Sequence, residues 1–267
     1  MMRFPRVPAV PWGRSSGGGL LGPDDPAEHR PGATAHDRPG FEHRLRDGRR
    51  VFLTPVLPGD RHRLEAGFEQ LSDQSRVFRF FRQRDRLSEA EIQRLIQVDQ
   101  VDHVAWCALD LPDPPFDGLG SGRLIRDPGD PEKAEVAVTV IDAAQRHGLG
   151  TVLLAVLVLR ARMLGISTLT AHVLPENRVV VRWLKDLGWT IVRDEGSLEF
   201  EDQARPDPSR VSEFPARARF EQLLDDLEPR VMSCLAVMAG RAASGPPAPL
   251  VDGPEDDHPE GGAVEGR

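Results

Sequence analysis

A lone carboxylate opens the otherwise apolar run Glu135-Val136-Ala137-Val138-Thr139-Val140, and shortly after it comes Gln145-Arg146-His147-Gly148-Leu149-Gly150-Thr151 ahead of a long apolar stretch. The first run reads as a strand, the second as a glycine turn that opens directly into a helix. The first N–H groups of a helix have no intrahelical partners and stand at the positive end of its dipole, so such a turn is an anion site. Glycine at 148 and 150 lets the backbone approach a pyrophosphate without a Cβ in the way. Arg146, and His147 when protonated, add positive charge beside it. Taken alone, the two glycines fit a plain turn equally well.

Two common nucleotide loops do not fit. A Walker A loop needs Gly-Lys-Ser/Thr before the helix, and no lysine stands there. The nearest approach to G-x-G-x-x-G is Gly118-Leu119-Gly120-Ser121-Gly122, followed by Arg123 where the third glycine would fall. That run reads as a strand edge or a bulge.

The elements that must position this chemistry follow from periodicity and caps. Val51 to Val56 is β-rich. Asp60 can cap a helix with Leu64, Phe68 and Leu71 on its apolar face. Ser88 and Glu91 form a capping box for a second helix buried through Ile92, Leu95 and Ile96. Val104–Leu109, Gly118–Ile125 and Ala134–Val140 are strands, the last two joined by the turn Asp127-Pro128-Gly129-Asp130. A helix over Thr151–Leu164 stops at Gly165, Leu169–Leu174 is a strand, a helix over Asn177–Leu187 stops at Gly188, and Leu198–Phe200 closes the sheet. The order is β-α-α-β-β-β-α-β-α-β, a mixed central sheet flanked by helices, α/β (α+β) in class. Phe220, Leu223, Leu224 and Leu227 continue at helical spacing, and Pro229 is placed to start a further helix with Val231, Leu235 and Met238. This extension packs on the main domain or serves a dimer.

The chain has 267 residues with 34 Lys+Arg against 42 Asp+Glu, a net charge of −8. That balance disfavours a general nucleic-acid or anionic-membrane binder. The 25 glycines and 24 prolines are concentrated at the ends and predict disordered tails over 1–40 and 241–267, the second acidic, around a domain at 41–203 and a helical extension at 204–240. No apolar run approaches the roughly 20 residues of a membrane helix, and no signal-peptide core is visible at the N-terminus. Cys107 and Cys234 are too far apart in sequence to read as a ligand-spaced pair, and no histidine spacing suits a metal. The cytoplasm is the default compartment. There is no tyrosine, and Lys133 and Lys185 are the only lysines.

Q-x-x-G-x-G between a strand and a helix, then a strand, then Asn177 opening a helix that ends Leu187-Gly188-Trp189, resembles the GNAT N-acetyltransferase family from about Val51 to Phe200. Leu71-Ser72, Ser75, Arg79-Phe80-Phe81, Leu87-Ser88, Val98-Asp99 and Ala134-Glu135-Val136-Ala137 sharpen the likeness to the GNAT domain of bacterial Pat-type protein lysine acetyltransferases. The resemblance implies the GNAT fold and acetyl-CoA as co-substrate, with no metal. It implies that the pyrophosphate rests on the amides from Gln145 to Thr151, that Val138, Thr139 and Val140 offer backbone to the pantetheine, and that Asn177 touches the cofactor arm as well as capping its helix. It also implies that β-strand Ala134–Val140 splays from Leu169–Leu174, with the thioester in the gap. The acceptor is then a primary amine, a protein lysine or a small molecule, and the protein a monomer or homodimer.

A lysine-like amine of pKa near 10.4 is neutral about once in 2,500 molecules at pH 7, so a base or desolvation must assist its attack. Glu135 is the candidate base, at the position where the Pat-like pattern places its catalytic glutamate. The alternative is a solvent-facing strand-end glutamate paired with Lys133 or Arg123. Arg79, Phe80 and Phe81 are candidates for the acceptor mouth or for a core anchor. The family's tyrosine acid falls at Leu184 here, so the thiolate must leave unprotonated or with water. Asp99, Asp102 and His103 lie at a helix-to-strand junction and read as loop caps. His172 and Trp183 read as structural, and the small-molecule and catalytically weak acyl-CoA-sensor readings remain alternatives to a protein acetyltransferase.

Overall fold

A computed structural model describes residues 38–111 and 117–244, with side chains described through 240. The expected tails fall almost wholly outside the described residues. Arg38 and Pro39 already belong to the folded domain: the Arg38 guanidinium donates to Asp60 at 2.7 Å, and the Thr54 hydroxyl donates to the Pro39 carbonyl at 2.8 Å.

The elements run β1 (Phe41–Arg44), β2 (Arg50–Pro55), α1 (Arg61–Glu69), α2 (Asp73–Phe80), α3 (Glu89–Ile96), β3 (His103–Asp110), β4 (Gly118–Asp127), β5 (Asp130–Val140), α4 (Leu149–Met163), β6 (Thr168–Val173), α5 (Arg178–Asp186), β7 (Thr190–Asp194), β8 (Leu198–Gln203), α6 (Pro208–Glu213) and α7 (Pro215–Ser244). One mixed sheet takes them in the order β1-β2-β3-β4-β5-β6-β8-β7. β1 to β5 form an antiparallel meander, β5 and β6 are parallel, and β8 pairs antiparallel with β6 and β7.

Three short elements escape the sequence pattern. β1, α2 and β7 lack a long apolar period, and β7 is exposed at every residue. Leu198–Phe200 therefore does not close the sheet, since β7 lies outside it. Pro229 does not start a helix either. It lies inside α7, on the solvent side, while Phe220, Leu224, Leu227, Val231 and Cys234 carry one buried stripe past it. A proline removes one helical hydrogen bond, and the continuous stripe holds the helix through that gap.

α4 is apolar nearly all round because it is covered on both sides. It lies across β3, β4 and β5, with α7 against its outer side. The glycines of β4 make that approach possible. A Cβ on Gly122 would lie 3.2 Å from Leu157, and one on Gly120 would lie 2.6 Å from the Thr139 carbonyl and 3.3 Å from Leu153. β4 is thus an interior strand, and its register against β3 shifts at Leu119, the bulge expected for this run. α1 and α3 cover the opposite face, where strand alternation places Cys107, Ser121, Arg123, Glu135 and Thr139.

Local signals hold where chemistry is local. The Ser88 N–H and hydroxyl both donate to Glu91, at 2.9 and 2.7 Å. Asp99 accepts from the N–H groups of Val101, Asp102 and His103, each at 2.8 Å, and so caps the entry to β3. Asp102 pairs with Arg126 at 2.8 Å. Asp60 sits at the start of α1, but its carboxylate accepts from Leu57 N–H and from the guanidinium groups of Arg38 and Arg63 rather than from the backbone N–H groups of the helix.

Candidate active site

The turn between β5 and α4 has the form the anion reading requires. Arg146 has φ 68° and Gly148 φ 91°, both left-handed, and Gly148 is the N-cap of a 15-residue helix. The first intrahelical bond runs from Val152 N–H to the Gly148 carbonyl at 3.1 Å. The N–H groups of Leu149, Gly150 and Thr151 precede it and have no helical acceptor. A Cβ on Gly150 would meet Val138 at 3.9 Å and Val140 at 4.0 Å, ordinary contact distances. Internal packing does not demand glycine at 150; an approaching ligand would.

Charge gathers at this end of α4 from a place the sequence does not announce. Arg46, on the β1–β2 hairpin, reaches Gly148, its side chain 3.7 Å from where a Cβ would stand. The next residue, Asp47, pairs with His147 at 2.8 Å and docks the hairpin on the loop. Arg146 and His147 are exposed. Gln145 donates to the Val140 carbonyl at 3.1 Å and to the Ser75 hydroxyl at 3.3 Å, so its side chain shapes the loop.

β5 and β6 pair only from Lys133–Thr168 through Glu135–Thr170. Beyond that point Val138, Thr139 and Val140 remain paired to β4 but not to β6. The strand edge that would carry a pantetheine is therefore open toward β6. α2 reaches across the mouth of this cleft. Its N-terminal end is bonded to Asp142, just past β5, while Asp73, Val77 and Phe78 share a groove with Leu174 and Glu176, just past β6.

On the α1–α3 face the same cleft meets a mainly apolar pocket of about 90 Å³, lined among others by Phe68, Leu71, Arg79, Phe80, Cys107, Arg123 and Thr139. Of the expected acceptor residues, Arg79 and Phe80 line it. Phe81 instead ends α2 in a left-handed conformation and stands outside the lining. Phe80 also packs on Phe68 at 5.6 Å, so the core-anchor and pocket readings coexist for it. Glu135 is half-buried on this face and acts electrostatically on Arg79. Lys133 pairs with Glu199 and Glu201 and Arg123 bonds His103, so neither expected partner engages Glu135 among the described residues. Sequence spacing could not show that Cys107 and Arg123 enter the pocket, because that depends on the β3–β4 and β4–β5 registers. Burial raises the Cys107 thiol to about 12, so it is no ready nucleophile.

Asn177 caps α5, its side chain accepting from Val180 N–H at 3.4 Å. Leu184, at the tyrosine position of the resemblance, is 3% exposed and packed in the core. Trp183 also packs against that core, and His172 is exposed. Among the described residues no group of three or more His, Cys, Asp or Glu gathers as for a metal, and no helix is long and apolar enough to cross a membrane.

A family model described as an acetyltransferase (GNAT) domain matches residues 50–190, and the chain belongs to that family. It is 30% identical over 151 residues to the acetyltransferase Pat of Mycolicibacterium smegmatis, covering 57% of this chain and 44% of that relative's length. It is 30% identical over 152 residues to the acetyltransferase PA5475 of Pseudomonas aeruginosa, covering 56% of this chain and 80% of the relative. The crystal structure of the GNAT domain of S. lividans PAT superposes with a TM-score of 0.57 at 31% identity, over 64% of this chain and 99% of that one.

Proposed function

We propose that this protein transfers the acetyl group of acetyl-CoA to a primary amine by direct attack, with Glu135 as general base. The observation that carries the reading is the glycine-capped start of α4, which opens onto the cleft where β5 parts from β6. Acetyl-CoA supplies the acyl group as a thioester. The amides of Leu149, Gly150 and Thr151 hold its pyrophosphate, with Arg146 and His147 beside them. The open edge of Val138, Thr139 and Val140 receives the pantetheine as an added strand. Asn177 contacts the same arm from the start of α5.

The amine enters between α2 and the β6–α5 segment, where Asp73 and Glu176 favour a cation. Glu135 takes its proton, the new C–N bond forms as the C–S bond breaks, and the thiolate departs. With Leu184 in the core, departure relies on water or on a thiol pKa near 8.5. We read the acceptor as a protein lysine or a small-molecule amine, and the protein as cytoplasmic, monomeric or homodimeric.

The buried Leu184 also favours a second reading, a module that binds acyl-CoA with little turnover. Thiol release from acetyl-CoA with a panel of amines and a lysine-rich protein separates the two. Amine-dependent release supports the transferase. Tight binding without release supports the sensor.

A further inference from the structure

The pocket beneath α1 and α3 carries charge that acetyl transfer leaves unused. Arg79 and Arg123 both line it. Arg123 is 3% exposed, and its Nη1 donates to His103 Nε2 at 3.2 Å. That ring is neutral: arginine only donates, so Nε2 must accept, and burial together with Arg123 lowers the His103 pKa to about 4. Arg79 stands 5.4 Å from the Phe80 ring. Among the described residues neither guanidinium bonds a carboxylate, although the Glu135 charge reaches Arg79 from a distance.

The other ionisable groups of the lining do not supply the missing counter-charge. Asp60 already accepts from Arg38, Arg63 and Leu57 N–H. Cys107 stays a thiol. Burial lowers the pKa of both arginines, and Arg79 further lowers Arg123, to about 9; a guanidinium is the most basic side chain and keeps its proton at neutral pH. Of the three arginines that line this largely apolar pocket, Arg63 is paired with Asp60, and Arg79 and Arg123 bond no carboxylate among the described residues, an arrangement that favours an anion brought by a ligand.

We propose that Arg79 and Arg123 receive a carboxylate borne by one of the two reactants, which makes the enzyme selective for an acid-bearing substrate. The proposal rests on the acyl-transfer reading and names its substrate class. A planar guanidinium pairs a carboxylate with two parallel hydrogen bonds, and the apolar walls fit a short carbon chain ahead of it. The carboxylate arrives on the acyl chain, as in malonyl- or succinyl-CoA, or on the acceptor, as in an amino acid.

The test uses the full chain and matched reactants in the thiol-release assay. One set pairs malonyl- and succinyl-CoA with acetyl- and propionyl-CoA at a fixed amine. The other pairs amino acids with their amides at fixed acetyl-CoA. We expect the acid-bearing members of one set to gain at least tenfold in kcat/KM, a gain that falls to parity in Arg123→Met and Arg79→Met. The set that responds identifies the source. Independently of turnover, succinate should raise the unfolding midpoint of the wild type and leave that of Arg123→Met unchanged. Parity in both sets with no succinate shift overturns the proposal. Intact CoA binding in the same samples shows that the acyl-transfer reading survives that failure, whereas lost CoA binding strikes the reading itself.

Discussion

Asp142 accepts from both the backbone N–H and the hydroxyl of Ser72, at 3.0 and 2.8 Å. Asp142 lies in the turn that leads β5 into α4, and Ser72 is the N-cap of α2. Ser75, one turn on, adds its hydroxyl to the same carboxylate at 3.1 Å. The loop that would hold the cofactor is thereby fastened to the helix that carries Arg79 and Phe80. A shift in one must be felt in the other.

Breaking this tie should loosen the acceptor side without dismantling the fold. The groups are solvent-exposed, so Asp142→Asn should cost about 1 kcal/mol of stability. Asp142→Asn and Ser72→Ala should be strongly non-additive in a double-mutant cycle read by denaturant melts and by acceptor KM. Burial tends to raise the Asp142 carboxyl, but the Ser72 and Ser75 hydrogen bonds outweigh it and hold the carboxyl below its usual value. Its contribution is therefore complete above about pH 4 and is lost as pH falls through the lowered pKa. Additive single and double variants would show that the tie carries nothing.

Glu135→Gln keeps the shape of a half-buried strand residue and removes its basicity. The variant should lose about 10²–10⁴-fold in kcat at neutral pH while binding acetyl-CoA as before. Stopped-flow thiol release with parallel calorimetry measures both. Unchanged kcat would remove Glu135 from the proton path.

His103 gives the fold a separate acid sensitivity. Burial and the neighbouring Arg123 lower its pKa to about 4, against about 6.5 in the unfolded chain. The unfolded state binds the proton first, so stability is full above about pH 6.5 and falls as pH drops toward 4. The loss integrates to on the order of 3 kcal/mol. His103→Gln keeps an acceptor for Arg123 and should flatten this window in urea melts at pH 4.5 to 7. A slope as steep in the variant as in the wild type would assign it to other groups.

Local chemistry was legible in the sequence, and contacts between distant segments were not. The α4 turn, the Ser88–Glu91 box, the Asp99 loop and the Asn177 cap each depend on residues within one turn of each other. α2 had a cap at Ser72 and a basic last turn at Arg79, yet its groove and its bond to Asp142 exist only in the folded chain. Arg46 reaches Gly148 from the far edge of the sheet, and no spacing in the chain announces it. Strand alternation alone puts Glu135, Ala137 and Thr139 on one face. The β4–β5 register was needed to add Arg123 to that face, and the β3–β4 register to add Cys107.

On the proposed function, the start of α4 binds acetyl-CoA. Calorimetric titration of acetyl-CoA into the wild type and Gly150→Ala, with NAD as a control ligand, tests it most directly. Gly150 lies in the first turn of the helix and a Cβ there meets only ordinary contacts, so the variant should fold at least as stably, by up to about 1 kcal/mol. Wild-type binding of acetyl-CoA but not NAD, weakened at least about tenfold in Gly150→Ala, is the predicted result. Equal affinity in the two proteins, or no binding to the folded wild type, would contradict it.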